Sequence, residues 1–264
     1  MQNYPYWQQQ TAEKPLFPSI EWSKPEQLNR AGKLGIIGGN KLGFAAVAEA
    51  YENAKKIGAG EVRVVLPDVL KKHIPASFTG AVFSPTNASG SLAREAIVDI
   101  TALQNWAEEI LLIGDAGRSS ETAILYEQFA QTYQGPLVIT RDAVDLLKNS
   151  APTLVERPDT ILIVSFAQLQ KIFQSLYYPK MLTFSMQLSN LVEALHKFTL
   201  SYPCTIVVLH KDTLVVASAG TITTTPWHNP MLIWRGDVAT KVACYWLWNK
   251  AKPLEAASAA LLAD

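Results

Sequence analysis

The sequence predicts an α/β domain with three layers and a mainly parallel central sheet. After Gly32, short apolar runs alternate with amphipathic stretches, the pattern of parallel strands joined by helices. Several of those runs are uninterrupted by polar residues, as expected of strands covered on both faces. The 264 residues, 48% of them apolar and 17% charged, suit one large globular unit, because α/β folds run to about 250 residues as a single domain.

Taken in order, residues 1–30 are rich in Gln, Pro and aromatics, among them Tyr4, Tyr6, Trp7, Phe17 and Trp22. They hold neither strand nor helix period, so they read as an arm packed onto a body formed by residues 31–264. Residues 34–38 form the first strand. Over residues 42–57, Phe44, Val47, Ala48, Tyr51 and Ile57 fall near helical spacing, and Gly58 supplies the stop. Residues 62–66 form the next strand, closed by Pro67. Two prolines and the turn formers Asn87, Ser89 and Gly90 make residues 73–90 a loop with short pieces of structure. A helix over 92–106, a strand over 110–113, a turn over 114–118, a helix over 120–133 and a strand over 137–139 follow. Residues 160–164 are another apolar strand. Helices are expected over 169–173 and 182–198. The runs 205–209 and 214–217 lie close enough for a hairpin at a sheet edge, and helices over 237–248 and 254–262 end the chain. No repeat of fixed period is present.

Composition excludes several classes of function. The 23 basic and 23 acidic side chains balance to a net charge of zero, which removes the broad electrostatic case for nucleic acid or an acidic membrane surface. The start of the chain has neither the basic residues nor the apolar stretch of a secretory signal, and no apolar run approaches the roughly 20 residues that span a bilayer. The cytosol is the expected compartment. Cys204 and Cys244 have no CxxC spacing, so they read as small buried apolar residues rather than a disulfide framework or thiolate zinc site. His73, His196, His210 and His228 are too scattered for a metal set, and no protein metal site is expected.

Four turns carry chemistry. In a parallel sheet the N–H groups at a helix start point towards a ligand and the helix dipole favours negative charge there. The first turn runs from Gly38 through Gly39, Asn40 and Lys41 to Gly43, where small residues let backbone approach a ligand and Lys41 can meet a phosphate. Its spacing is neither GxGxxG nor GxxxxGK[ST], and an ordinary tight turn fits it equally. The second, Gly114 to Ser120, includes Gly117 and Arg118. Ser119 or Ser120 suits a helix cap, and the planar fork of Arg118 suits a phosphate. In the third, Thr140-Arg141-Asp142, the acid reads as a cap of the helix through Leu147 or as a ligand contact. In the fourth, Trp234-Arg235-Gly236-Asp237, the acid stands where a helix begins. It can complement the helix dipole or act as general base for a bound hydroxyl.

Together these turns resemble the ADP-dependent NAD(P)H-hydrate dehydratase family of ribokinase-like enzymes, from about Gly32 to the end of the chain. Residues 32–40 are similar to the family's opening strand and Gly-Gly-Ser turn, and Gly58-Ala59-Gly60 to its Gly-Ala-Gly. Residues 113–122 resemble its Gly-Pro-Gly-Leu-Gly turn and the helix that follows. Residues 136–147 resemble Pro-Leu-Val-Leu-Asp-Ala-Asp-Ala-Leu-Asn-Leu-Leu. Asn229-Pro230 and Gly236-Asp237-Val238 resemble its Asn-Pro and Gly-Thr-Gly-Asp-Val-Leu. There are departures. The family's His-Pro-Gly-Glu is Ser165-Phe166-Ala167-Gln168 here, Thr140 replaces the first acid of Asp-Ala-Asp, His210-Lys211 replaces Lys-Gly, and Trp234 and Arg235 occupy the glycine-rich loop.

The resemblance implies a ribokinase-like three-layer α/β/α domain that dehydrates hydrated NADH or NADPH, with ADP or ATP and Mg2+ as cofactors. It implies Asp237 as the base, with Arg235, Gly236, His210, Lys211 and Asn229 on the nucleotide and its phosphates. Gly39, Asn40, Lys41, Gly117, Arg118 and Asp142 would face the hydrated dinucleotide. A homo-oligomer is expected. Two other readings stay open. One is a non-catalytic relative serving as a binding or assembly subunit, which the departures favour. The other is a small-molecule kinase.

Overall fold

The structure is a computed structural model that describes residues 4–75 and 78–263, so residues 1–3 of the expected arm, residues 76–77 of the expected loop and residue 264 of the expected body lie outside it. Its centre is one sheet of ten strands. β1 (Trp7–Gln9) lies in the N-terminal segment. The body opens with β2 (Lys33–Gly38), α1 (Ala45–Ile57), β3 (Glu61–Pro67), β4 (Ala81–Ser84), α2 (Ile97–Trp106) and β5 (Glu109–Gly114). It continues through α3 (Ser120–Thr132), β6 (Leu137–Thr140), the short α4 (Asp142–Leu146) and α5 (Ala151–Val155), and β7 (Thr160–Val164). Then come α6 (Phe166–Ser175), α7 (Leu188–Ser201), β8 (Thr205–His210), β9 (Thr213–Ser218) and β10 (Thr221–Pro226). The last helices are α8 (Pro230–Arg235), α9 (Asp237–Trp248) and α10 (Pro253–Ala260).

The strand order is β1-β10-β9-β8-β7-β6-β5-β2-β3-β4, and every neighbouring pair from β8 across the sheet to β4 is parallel. The continuous apolar runs have the predicted cause. In β5, Ile110 and Leu112 pack into the layer that contains Leu125, Phe129 and Phe198, whereas Leu111 and Ile113 pack into the layer of α1, α9 and α10. A polar residue on either face of such a strand would be buried without water.

The expected hairpin exists as β8 and β9, but it is not at the sheet edge. β9 turns again into antiparallel β10, and β1 adds to β10 in parallel. The run Thr221 to Pro226 has one aliphatic residue, Ile222, and so carries no apolar strand pattern. Its buried threonines are satisfied by distant partners. Thr223 shares a 2.6 Å hydrogen bond with Ser258, and Gln10 Nε2 donates to Thr225 Oγ1 at 2.9 Å and to the Ser258 carbonyl at 2.7 Å.

Several helix starts move for local reasons. Asn40 and Gly43 form a bridge, so α1 starts after the turn, and Leu92 bridges Thr86, so α2 starts later than expected. In α6 the start moves the other way. Ser165 and Gln168 form a capping box that extends the helix back to Phe166. The stretch before Leu188 is irregular, and α7 runs on to Ser201.

Candidate functional site

Strand β2 has β3 on one side and β5 on the other, although the chain passes through β3 and β4 before reaching β5. The loops leaving β2 and β5 therefore part in opposite directions, and a crevice opens between them beyond the strand ends. A cleft of about 480 Å³ lies there. Asn40, Leu42 and Gly43 line it from the first turn, Ser89 from the segment after β4, Asp115, Gly117, Arg118 and Ser119 from the second turn, and Asp142 from the start of α4.

Asn40, Asp115 and Asp142 are each held by residues outside their own loop. Asn40 is 7% exposed; its Nδ2 donates to Ser91 Oγ at 2.5 Å and to the Ser89 carbonyl at 3.2 Å, and its Oδ1 accepts from Leu42 N at 2.9 Å. Asp142 Oδ2 accepts from the backbone N–H groups of Ala116 and Gly117, both at 3.0 Å. This corrects the capping alternative for Asp142, because the acid serves the turn after β5 rather than its own helix. Gly114, with φ at +91°, makes that approach possible, since a Cβ there would collide with the Asp142 carboxylate. Asp142 Oδ1 is buried without a hydrogen-bond partner among the described residues. Burial, reinforced by the charge of Asp115, raises the Asp142 carboxyl above its ordinary range.

Asp115 and Arg141 were not singled out as site residues from the sequence, yet they join two turns. Asp115 Oδ2 accepts from Ala46 N, at the start of α1, at 3.0 Å, and its carboxylate pairs with the Arg141 guanidinium. Both residues have positive φ, 54° for Asp115 and 58° for Arg141. Gln168 holds Arg141 in place by donating to its carbonyl at 2.7 Å, and it also donates to Asp145 Oδ2 at 2.7 Å. The segment Ser165 to Gln168 thus braces the third turn from below. The available sequence signal was an acid and an arginine, each directly after a strand end; their pairing requires the β5–β6 register.

At the fourth turn, Gly236 has φ at +88°, and a Cβ there would stand 2.8 Å from Ile113 Cδ1, so a side chain is excluded. Asp237 opens α9 with its side chain 16% exposed. Asn53 Nδ2 on α1 donates to its Oδ1 at 3.1 Å, and Lys241 Nζ, one turn on, lies 3.5 Å from Oδ2. Asp237 is therefore tied towards α1 and does not line the cleft. Trp234 is 50% exposed.

The cleft gathers Asn40, Gly117, Arg118 and Asp142 from the expected set, but Lys41 is exposed outside its lining and Gly39 contributes backbone beside β5. Arg235 and Asn229 are exposed at the two ends of α8, and Lys211 is exposed in the β8–β9 turn. His210 is 3% exposed, and a ring nitrogen donates to the Met186 carbonyl at 3.0 Å. Burial lowers its pKa. None of these four lines the cleft. Among the described residues no cluster of three or more His, Cys, Asp or Glu side chains is placed to hold a metal ion. No helix of the described residues is long and apolar enough to cross a membrane.

No protein-family model matches the chain, and no curated protein matches it by sequence. Solved structures do match. A ribokinase-like superfamily protein from Enterococcus faecalis V583 superposes with a TM-score of 0.73 at 16% identity, covering 99% of this chain and 88% of its own. The ADP/ATP-dependent NAD(P)H-hydrate dehydratase from Bacillus subtilis, co-crystallised with ATP/Mg2+, gives 0.58 at 12% identity, covering 94% and 86%. The pyridoxal kinase from Staphylococcus aureus, in complex with AMP-PCP and pyridoxal, gives 0.54 at 13% identity, covering 87% and 85%. At such identities the common property is architecture, and this chain has the ribokinase-like three-layer α/β/α fold with a mainly parallel ten-stranded sheet.

Proposed function

We propose that the protein uses ADP or ATP to dehydrate hydrated NADH or NADPH, a repair reaction on a nicotinamide cofactor. The observation that carries this reading is the cleft at the divergence of β2 and β5, where Asn40, Arg118 and Asp142 meet beside helix starts. In the proposed reaction the ring hydroxyl attacks the terminal phosphorus of the nucleotide and the bond to the leaving nucleotide breaks. Asp237 takes the hydroxyl proton. Phosphate then departs with the C–O bonding electrons, and loss of a ring proton restores the double bond. For that role Asp237 must exchange Asn53 for the substrate hydroxyl. Asn40 and Asp142 position the hydrated ring, and Arg235 and Gly236 lie on the phosphate side.

Mg2+ is held chiefly by phosphate oxygens and water with one or two carboxylates. Asp115 and Asp142 are the carboxylates on the cleft wall that would supply such a contact, and the described residues offer no closed protein cage. Bound with the nucleotide, such an ion would supply positive charge to the transferring phosphoryl group.

A second reading, a non-catalytic binding or assembly subunit, draws on the engagement of Asp237 by Asn53 and Lys241. Incubation of purified protein with hydrated NADH and either nucleotide separates the two, followed as recovery of the reduced cofactor. Recovery that requires nucleotide supports the dehydratase, and none with ADP or ATP rejects it. A stable phosphorylated product in place of recovery would identify a small-molecule kinase instead. A homo-oligomer in the cytosol belongs to the same reading and is checked by light scattering and cell fractionation.

A further inference from the structure

The Asp115–Arg141 pair has three features beyond those of an ordinary surface ion pair. First, a single carboxylate occupies two groups that attract anions, the Arg141 guanidinium and the Ala46 N–H at the start of α1. A phosphate bound between the same turns would use the same donors. Second, Arg141 Nε is buried and has no hydrogen-bond partner among the described residues, so the guanidinium fork is incompletely used. Arginine recognises phosphate best when two donors of that fork act together. Third, the Arg141 side chain connects the two halves of the site. Its Cδ lies 3.7 Å from the place a Cβ would take at Gly236, directly before Asp237, and its guanidinium meets Asp115 on the cleft wall. Its backbone is anchored separately, through the bond from Gln168 to its carbonyl.

We propose that Arg141 is the specificity-determining phosphate-binding residue of this site, and that Asp115 is an internal counter-ion which an incoming phosphate-bearing ligand displaces. The ligand class is a nucleoside diphosphate or triphosphate, or another compound with a terminal phosphate. In the free protein Asp115 keeps the guanidinium oriented and the start of α1 satisfied. On binding, the phosphate takes over the fork and the carboxylate swings towards the cleft opening. The exchange is of one anion for another, so the cation is never left uncompensated. A ligand without a phosphate gains nothing from it.

The inference rests on the nucleotide site proposed above, but its test reads binding rather than turnover. Asp115→Asn removes the charge, keeps an oxygen for Ala46 N–H, and suits the left-handed backbone that Asn tolerates. Asp115→Gly, which accepts the same φ without strain, serves as the second variant if Asp115→Asn melts early. Isothermal titration with ADP at low ionic strength should show affinity rising about tenfold in either variant, the scale of removing one close competing charge. Arg141→Gln should weaken ADP binding by about tenfold or more, and adding Asp115→Asn to it should bring no recovery. The proposal is overturned if folded Asp115→Asn and Asp115→Gly proteins bind ADP no better than wild type. A gain that persists without Arg141, or failure of every variant to bind ADP and pyrophosphate, overturns it equally. Wild type that binds ADP in this pattern but dehydrates nothing leaves the exchange standing and removes only the dehydratase reading.

Discussion

Strand β5 begins with one acid and is followed at its other end by another, and the two ends treat a carboxylate differently. Glu109, its first residue, is 0% exposed, and neither carboxylate oxygen has a hydrogen-bond partner among the described residues. Burial pushes its pKa well above the ordinary carboxylate range, with only partial relief from Lys250, which pairs with neighbouring Glu108 at 2.7 Å. Asp115, just past the far end, is met by a guanidinium and a helix-start N–H, and Asp142 beside it by two more N–H groups. In a parallel sheet with crossover helices, the helix N-termini gather beyond the C-terminal ends of the strands and the helix C-termini beyond the other ends. One edge offers donors and positive potential, and the other offers carbonyls. The same side-chain chemistry is met by several donors at one end of the strand and is buried without a hydrogen-bond partner at the other.

The largest effects are expected at the donor-rich ends of the strands. Under the proposed reaction, Asp237→Asn should lower turnover by about 100-fold to 10,000-fold, the usual contribution of a positioned general base. Circular dichroism should show the fold intact, and equal residual activity would reject Asp237 as the base. Asp142→Ala leaves the Ala116 and Gly117 N–H groups without their acceptor and should cost about 2 to 3 kcal/mol of stability. Urea denaturation at neutral pH measures it, and a loss near zero would mean that water replaces the carboxylate without penalty.

At the other edge the sign reverses. Glu109→Leu removes a polar group that has no partner and should raise stability by about 1 to 3 kcal/mol. The pH dependence sharpens this expectation. Because the folded-state pKa of Glu109 is raised, the folded protein holds a proton that the unfolded chain releases. Its contribution is complete below the unfolded carboxylate pKa and is lost as pH rises through the folded value. Denaturation midpoints of wild type should therefore fall relative to Glu109→Leu on going from acid to alkaline pH. A constant difference would show that Glu109 does not titrate with folding. The smallest effect is expected at Lys250→Ala, which removes a solvent-exposed pair with Glu108 and should cost under about 1 kcal/mol. A larger loss would mean that Lys250 also stabilises the buried Glu109 carboxyl.

Much of the architecture was legible because burial on both faces writes itself into continuous apolar runs, as at 110–113, 137–139 and 160–164. The Thr221–Pro226 strand was not, since its threonines look soluble until Gln10 and Ser258 arrive from opposite ends of the chain. The turns after β2, β5 and β6, which line the cleft, stood out in the sequence because glycine and polar residues follow strand ends there. Their internal pairing was not. Asp142 reads as a helix cap from its neighbours in sequence, but a carboxylate binds the nearest free N–H groups in space, and those belong to residues 116 and 117.

Local propensity and the period of apolar residues fix the layer architecture, the mainly parallel sheet and the places where small residues turn strands into helices, so these are written in the chain itself. Tertiary structure alone decided which acid faces the cleft, that His210 is enclosed, that Asp237 leans on Asn53, and that Arg141 is shared between two turns. Those outcomes depend on strand register and on electrostatic pairing across the sheet edge, where residues far apart in the chain compete for the same few hydrogen-bond donors.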